Sequence, residues 1–401
     1  MSILFTPIKI GKMEIKNRFV RSATHEGMAT EKGEVTDKLI KVMSALAKGE
    51  VGLIIPGYMY IDPVGQAAEN QTGIYSDDLV PGLKKMVNAV HAEGGKIAFQ
   101  IVHAGMQTTQ DLTGNEPIGP SKRVMSQLTM TRPKEMDEND INETIQAFVD
   151  AARRAVEAGS DAIQLHAAHG YLINQFISPF FNRRKDDWSG SDENLFRYLK
   201  EIFLETKKVI PSDMPLFIKL NTNDYTPKEG ITPPLAAKYA EWLKNLGIDG
   251  IEISCGAGHF SMFNMCRGDV PVKELARAFP SPQKELVEKV MQEMVGKFNF
   301  EEPYNLEAAK VIKPVIGNVP LILVGGLRKI SDMEDAVQNK YADFISMSRP
   351  FIREPYLVKK FKAGKQTETS CVSCNRCGAA LFNKFPFRCY LENFPEEVIQ
   401  V

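Results

Sequence analysis

His166, His169 and Tyr171 fall within the six residues His166-Ala167-Ala168-His169-Gly170-Tyr171, directly after an apolar alternation that ends at Leu165. The alternation predicts a strand, so two imidazoles and a phenol leave one strand end together. Paired imidazole N–H donors can grip a carbonyl or carboxylate oxygen while a phenol hands over a proton. That is the equipment for reducing an activated carbon–carbon double bond. The competing reading is a polar loop with satisfied hydrogen bonds, and the placement of the strand within the rest of the chain decides between them.

A second chemical signature lies near the C-terminus. Cys371, Cys374 and Cys377 form C-x2-C-x2-C, with Cys389 further on. Four thiolates so spaced predict a metal site, and the spacing admits either a [4Fe-4S] cluster or a structural zinc. The other two cysteines, Cys255 and Cys266, are expected to be unliganded. Six cysteines in 401 residues are too few for a disulfide scaffold, which points to a reducing compartment. A formal charge of -1 with interleaved acids and bases speaks against nucleic acid as a partner. The N-terminus has no charged n-region or long apolar run, and no window approaches a membrane span. A cytoplasmic protein with no membrane partner is expected.

Eight short apolar, β-branched runs recur, each followed by helical periodicity: 19–24, 51–58, 96–103, 162–168, 215–221, 250–256, 320–326 and 342–349. Eight strand–helix units predict an α/β chain closed as a (β/α)8 TIM barrel. Helical periodicity is clearest at 79–92, 141–158 and 195–209, with Gly94, Gly159 and Gly247 where helices should stop. An open doubly wound sheet is disfavoured because no G-x-G-x-x-G follows the first strand. Barrel enzymes build their sites at the C-terminal strand ends. Two strand-to-helix connections, 104–139 and 257–305, are long enough to be lids or substrate walls, and 284–295 within the second reads as a helix. The expected domains are a barrel over 1–366, with 1–18 closing one end, and a cysteine-rich tail over 367–401.

The strand ends suggest a ligand. Gly325-Gly326 after the seventh strand and Ser348-Arg349 after the eighth sit where barrels commonly bind phosphate. Gln100 offers an amide, Lys219 a cation, and Ser22, Ala23 and Thr24 small groups that leave room for a flat ring, with Tyr58 ending the second strand. That set suits FMN. Lys219 could instead form a Schiff base in an aldolase, but the paired histidines and Tyr171 would then lack a role.

These residues carry a resemblance. The stretch 4–11 with Lys16-Asn17-Arg18, Gly73-Ile74-Tyr75-Ser76-Asp77, Gln100 to Gly105, and His169-Gly170-Tyr171-Leu172-Ile173-Asn174-Gln175-Phe176 through Asn182-Arg183-Arg184 resemble the old yellow enzyme family of FMN-dependent ene-reductases. Gly325-Gly326-Leu327 and Ser348-Arg349-Pro350 complete the likeness. It implies that Gln100 and Lys219 hold the flavin ring, that Gly326 and Arg349 take its phosphate, that His166 and His169 bind the substrate's activating oxygen, and that Tyr171 protonates the α-carbon. His259 resembles in placement a histidine that assists the proton donor in the 2,4-dienoyl-CoA reductase-like branch. Lysine replaces a common arginine at Lys219, and His25 stands where a flavin-tuning cysteine is common. The same branch carries an iron–sulfur cluster after the eighth helix, with one more residue before the third cysteine, so the resemblance favours [4Fe-4S] over zinc.

The expected activity is FMN-dependent reduction of an α,β-unsaturated carbonyl, carboxylate or thioester. NAD(P)H or a separate redox protein is the expected donor, because the chain ends before the second flavin and nicotinamide domains of the longer relatives. A homo-oligomer is expected. A flavin amine dehydrogenase or demethylase and a non-catalytic electron-transfer flavoprotein subunit are the alternatives.

Overall fold

The computed structural model describes residues 2–125 and 132–395. Its centre is a parallel sheet of eight principal strands: β1 (Phe19–Arg21), β2 (Leu53–Ile54), β3 (Lys96–Val102), β4 (Ala162–Ala167), β5 (Leu216–Asn221), β6 (Ile251–Ser254), β7 (Leu321–Val324) and β8 (Phe344–Met347). Neighbours pair in sequence order, β8 pairs with β1, and the sheet closes. The fold is the predicted (β/α)8 barrel. Each strand feeds a helix on the outside: α1 (Asp37–Lys48), α2 (Val80–Ala92), α3 (Glu138–Glu157), α4 (Asp192–Val209), α5 (Pro233–Leu246), α6 (Leu306–Ile316), α7 (Ile330–Gln338) and α8 (Leu357–Lys362). Side chains cap several starts. The Thr36 hydroxyl accepts from Leu39 N, and Asp137 and Asp140 form a reciprocal capping box.

The second strand is shorter than its apolar run. Pro56 has no N–H to give a ladder, so β2 stops early and the chain pairs with β3 again only at Met59–Tyr60. A hairpin of Ile8–Ile10 and Met13–Ile15 closes the bottom of the barrel. Its Ile10, Met13 and Ile15 pack on one inward residue from each of seven strands: Val20, Leu53, Ala98, Ala162, Phe217, Ile322 and Phe344. Side chains alternate sides along a strand, so the next inward residue lies two positions on. Above this apolar plug the inward residues therefore become Ser22, Gln100, Gln164, Lys219, Glu252 and Ser346, which are polar and buried. The sheet's outer face and the helices form the larger core.

Both long connections carry structure. The first holds Gln110–Thr113 and a two-stranded pair, Ile118–Gly119 with Lys134–Glu135. The second holds helices Met262–Met265, Val272–Ala276 and Gln283–Met294, the last matching the predicted 284–295. The cysteine-bearing tail lies against this second connection. Its helix Arg376–Phe382 packs on Val272–Ala276, and Arg376 pairs with Glu274 at 3.0 Å. At Gly268, with φ +142°, a Cβ would lie 2.0 Å from Ser373 O, so only glycine lets the two segments touch. No helix among the described residues is long and apolar enough to cross a membrane.

Candidate active site

The open end of the barrel is a cavity of about 290 Å³, and every predicted catalytic or cofactor residue except Gln100 and His259 lines it. Ser22, Ala23, Thr24 and His25 come from the end of β1, Tyr58 from beyond β2, and His166, His169 and Tyr171 from β4. Lys219 comes from β5, Gly325 and Gly326 from β7, and Ser348 and Arg349 from β8. Gln100 lies just beneath, fully buried. His259 falls in the turn Gly258–Phe260, and its side chain is outside the described residues.

The trio assembles as a clamp. The His166 and His169 rings are perpendicular with centroids 5.1 Å apart, and Tyr171 stands 4.9 Å from His166. Ala168 N donates to His166 Nδ1 at 3.4 Å, which places the proton of a neutral His166 on Nε2. His169 Nε2 meets Ser254 Oγ at 2.7 Å; with the serine donating, Nδ1–H is the free donor. Burial lowers both imidazoles well below the usual range, reinforced by the positive charge of Lys219 nearby. Both rings are therefore neutral at pH 7, each with one N–H to offer.

The turn that aims them is held under strain. His169 has φ +63°, a conformation that costs about 1–3 kcal/mol in a residue with a side chain. At Gly170, φ +73°, a Cβ would sit 2.6 Å from Gln107 Nε2. Asn174 and Gln175 from the following turn hold the loop in place. Gly170 N donates to Asn174 Oδ1 at 2.6 Å, and Gln175 Nε2 donates to Gly170 O at 2.6 Å and to Ala104 O at 3.1 Å.

Tyr58 also contacts this group. Its ring centroid is 5.2 Å from that of Tyr171, with the planes tilted by 43°. Burial pushes both phenols up, Tyr171 further, so each keeps its proton at neutral pH. His25 lies 5.8 Å from Tyr58, and burial lowers its pKa to about 4.

Arg349 lines the mouth and also reaches the tail. Its Nη1 donates to Arg267 O at 2.9 Å and to Asn375 Oδ1 at 2.6 Å, so the guanidinium links the mouth to the tail. Tyr304 packs over Gly325 and Gly326 and hydrogen-bonds Met265 O at 2.9 Å. His103, at the end of β3, does not reach the mouth: its Nδ1 accepts from Gly105 N at 3.0 Å.

Glu252, Gln164 and Ser346 escaped the sequence reading. Glu252 is fully buried, 3.4 Å from the Lys219 ammonium. Its signal was a lone carboxylate inside Gly250-Ile251-Glu252-Ile253-Ser254. A Schiff-base role fits poorly with a Lys219 ammonium already paired to Glu252 and donating to Ser22 Oγ at 2.8 Å.

Cys371, Cys374, Cys377 and Cys389 ring one small cavity between Arg349, Arg353 and Tyr390. All six cysteines are free thiols. Among the described residues, no three His, Cys, Asp or Glu side chains stand together as a metal-holding group.

A profile of the NADH:flavin oxidoreductase / NADH oxidase family matches residues 3–260 and 268–368. The chain belongs to that family. The NADH oxidase of Thermoanaerobacter brockii is 34% identical over 391 residues, covering 96% of this chain and 55% of that enzyme. The structure of 2-naphthoyl-CoA reductase with 2-naphthoyl-CoA superposes with a TM-score of 0.82 at 28% identity, covering 97% of this chain and 57% of the other. This chain thus spans little more than half the length of either. The old yellow enzyme homologue from Zymomonas mobilis matches nearly end to end, with a TM-score of 0.72 at 25% identity over 92% of this chain and 95% of its own.

Membership of the NADH:flavin oxidoreductase family, old yellow enzymes included, implies FMN and a nicotinamide donor, and the mouth fits FMN. Gln100 Oε1 is buried without a hydrogen-bond partner, an acceptor matched to a ring N–H. Lys219 and the small side chains of Ser22 and Ala23 line the same mouth.

Proposed function

We propose that the chain reduces the carbon–carbon double bond of an α,β-unsaturated carbonyl, carboxylate or thioester compound. The observation that carries this reading is the convergence of two neutral imidazole donors and a protonated phenol on one cavity that also holds Lys219. His166 Nε2–H and His169 Nδ1–H would grip the activating oxygen and draw electron density from the double bond. Tyr171 would then give its hydroxyl proton to the α-carbon. FMN, held by Gln100, Lys219, Ser22, Ala23, Thr24, Gly326 and Arg349, would supply the hydride for the β-carbon. The reach required is roughly 3–3.5 Å, so the histidines act as a positioning clamp as well as an activator. Neutral rings suit this role, because each offers an N–H without placing a charge in a dry site.

Among the three substrate classes, likeness to 2-naphthoyl-CoA reductase over 97% of the chain favours a thioester. An amine substrate is not favoured: the clamp in the mouth is built of His166 and His169, N–H donors suited to an oxygen.

Cys371, Cys374, Cys377 and Cys389 would hold a [4Fe-4S] cluster. That all four line one small cavity supports a shared site, and the likeness of the tail to the cluster-bearing branch favours iron and sulfur over zinc. Electrons would come from NAD(P)H, directly or through a redox protein.

The test is rapid-mixing kinetics on the FMN-loaded protein with an enone, an enoate and an enoyl-CoA. Tyr171→Phe should slow re-oxidation by substrate about 10²–10⁴-fold while leaving reduction by NADH near wild type. His166→Ala should cost re-oxidation about 10²–10³-fold. Wild-type re-oxidation rates in both variants would overturn the reading. Iron and zinc assayed on anaerobically purified protein decide the tail, and zinc alone would refute the cluster.

A further inference from the structure

Glu252 anchors a buried relay whose direction has a chemical consequence. A carboxylate accepts hydrogen bonds and donates none. Gln164 must therefore turn its amide nitrogen toward Glu252, with Nε2 to Oε2 at 2.7 Å. That leaves the Gln164 oxygen to accept, and Gln100 Nε2 donates to it at 2.6 Å. Gln100 is left with a bare oxygen, which is buried and has no hydrogen-bond partner. The rest of the layer is equally committed. Ser22 and Ser346 donate to Glu252 Oε1 at 2.8 and 2.9 Å, and the Lys219 ammonium lies 3.4 Å from Oε2. Register sets two of these neighbours, Gln100 beside Gln164 across β3 and β4 and Lys219 beside Glu252 across β5 and β6.

We propose that Glu252 is a positioning residue for the flavin ring: through Gln164 it presents the Gln100 oxygen to the ring's imide N–H, and it keeps Lys219 beside the ring as a cation. The proposal rests on the flavin reading of the mouth. Were the relay reversed, Gln100 would offer its NH2 to another N–H, and two buried donors would face each other unsatisfied. The fixed negative charge has a second effect, because it opposes electrons added to the ring above it. Glu252 thus sets both ring recognition and reduction potential without touching the substrate.

The decisive variant is Glu252→Gln, whose amide can point either way and carries no charge. Apoprotein is reconstituted with FMN and with 3-methyl-FMN, whose imide nitrogen has no hydrogen, and affinities and midpoint potentials are measured. Wild type should prefer FMN over 3-methyl-FMN by about tenfold or more, the equivalent of one buried hydrogen bond. Glu252→Gln should narrow that preference and bind reduced flavin about tenfold better relative to oxidised, a rise of about 30 mV for a two-electron couple. Glu252→Asp, which keeps the charge, should restore much of the potential. A Glu252→Gln protein equal to wild type in preference and potential would overturn the proposal. Should that variant fail to fold, Gln164→Leu cuts the relay and spares the Glu252–Lys219 pair. It should lose the preference at unchanged potential, and an undiminished preference refutes the relay. Wild type that takes up no flavin at all would instead refute the reading beneath it.

Discussion

Burial sets the protonation of single residues here, and for His25, His103, His166 and His169 it lowers the pKa each time. Burial drops His103 to about 4, with the charge of Asp62 opposing the fall. An unfolded chain takes up that proton near pH 6.5 and the folded one does not. The resulting stability is whole above pH 6.5 and drains away as the pH falls toward 4, by up to about tenfold in the folding equilibrium per pH unit per group. His103→Gln should therefore flatten the loss in denaturant midpoint between pH 7 and pH 5, measured by circular dichroism; an unchanged slope would refute the assignment. The chemistry-bearing trio was legible in the sequence because all three residues sit within six positions. Glu252 and Gln164 were not, since one polar residue inside an apolar strand reads as an interruption until the barrel closes around it. The Tyr58–Tyr171 contact joins two strand ends more than a hundred positions apart, and local pattern carries no trace of it.

At the scale of elements, the strands were legible for a physical reason. Parallel strands buried on both faces become continuous apolar runs, and their ends turn polar where the mouth opens. Boundaries were less legible: the second run was read through Pro56, and the two long connections gave no sign of the short strands or helices they hold, apart from 284–295. The tail's attachment was likewise invisible. Glu354, at the C-terminal end of the short helix Arg349–Arg353, accepts from Gln366 Nε2 at 2.9 Å, Thr369 Oγ1 at 2.8 Å and Ser370 N at 2.7 Å. Burial would raise this carboxyl, but those donors hold it near 2. They pin the segment that leads into Cys371. Glu354→Ala should free it, so that limited proteolysis cuts between 362 and 371 at least tenfold faster while the barrel fragment survives; an unaltered cleavage rate would show that the tail is held elsewhere.

At the scale of the whole molecule, the described residues form a closed barrel whose mouth and thiol-lined cavity share Arg349 and Ser373. Loss of the tail's thiols should leave the barrel folded, because the two hydrophobic clusters that build it contain no residue beyond Phe361. Replacing Cys377 by serine is expected to lower bound iron without lowering the melting temperature of the barrel; a fall of both together would show that the tail is part of the folding unit.

Arg349 lines the mouth and the thiol ring alike, with one nitrogen bonded to Asn375 between Cys374 and Cys377. An anion drawn to its mouth side would pull on the same guanidinium that holds Asn375. Were a ligand bound at each side, filling one would alter affinity at the other, by a factor identical whichever is filled first.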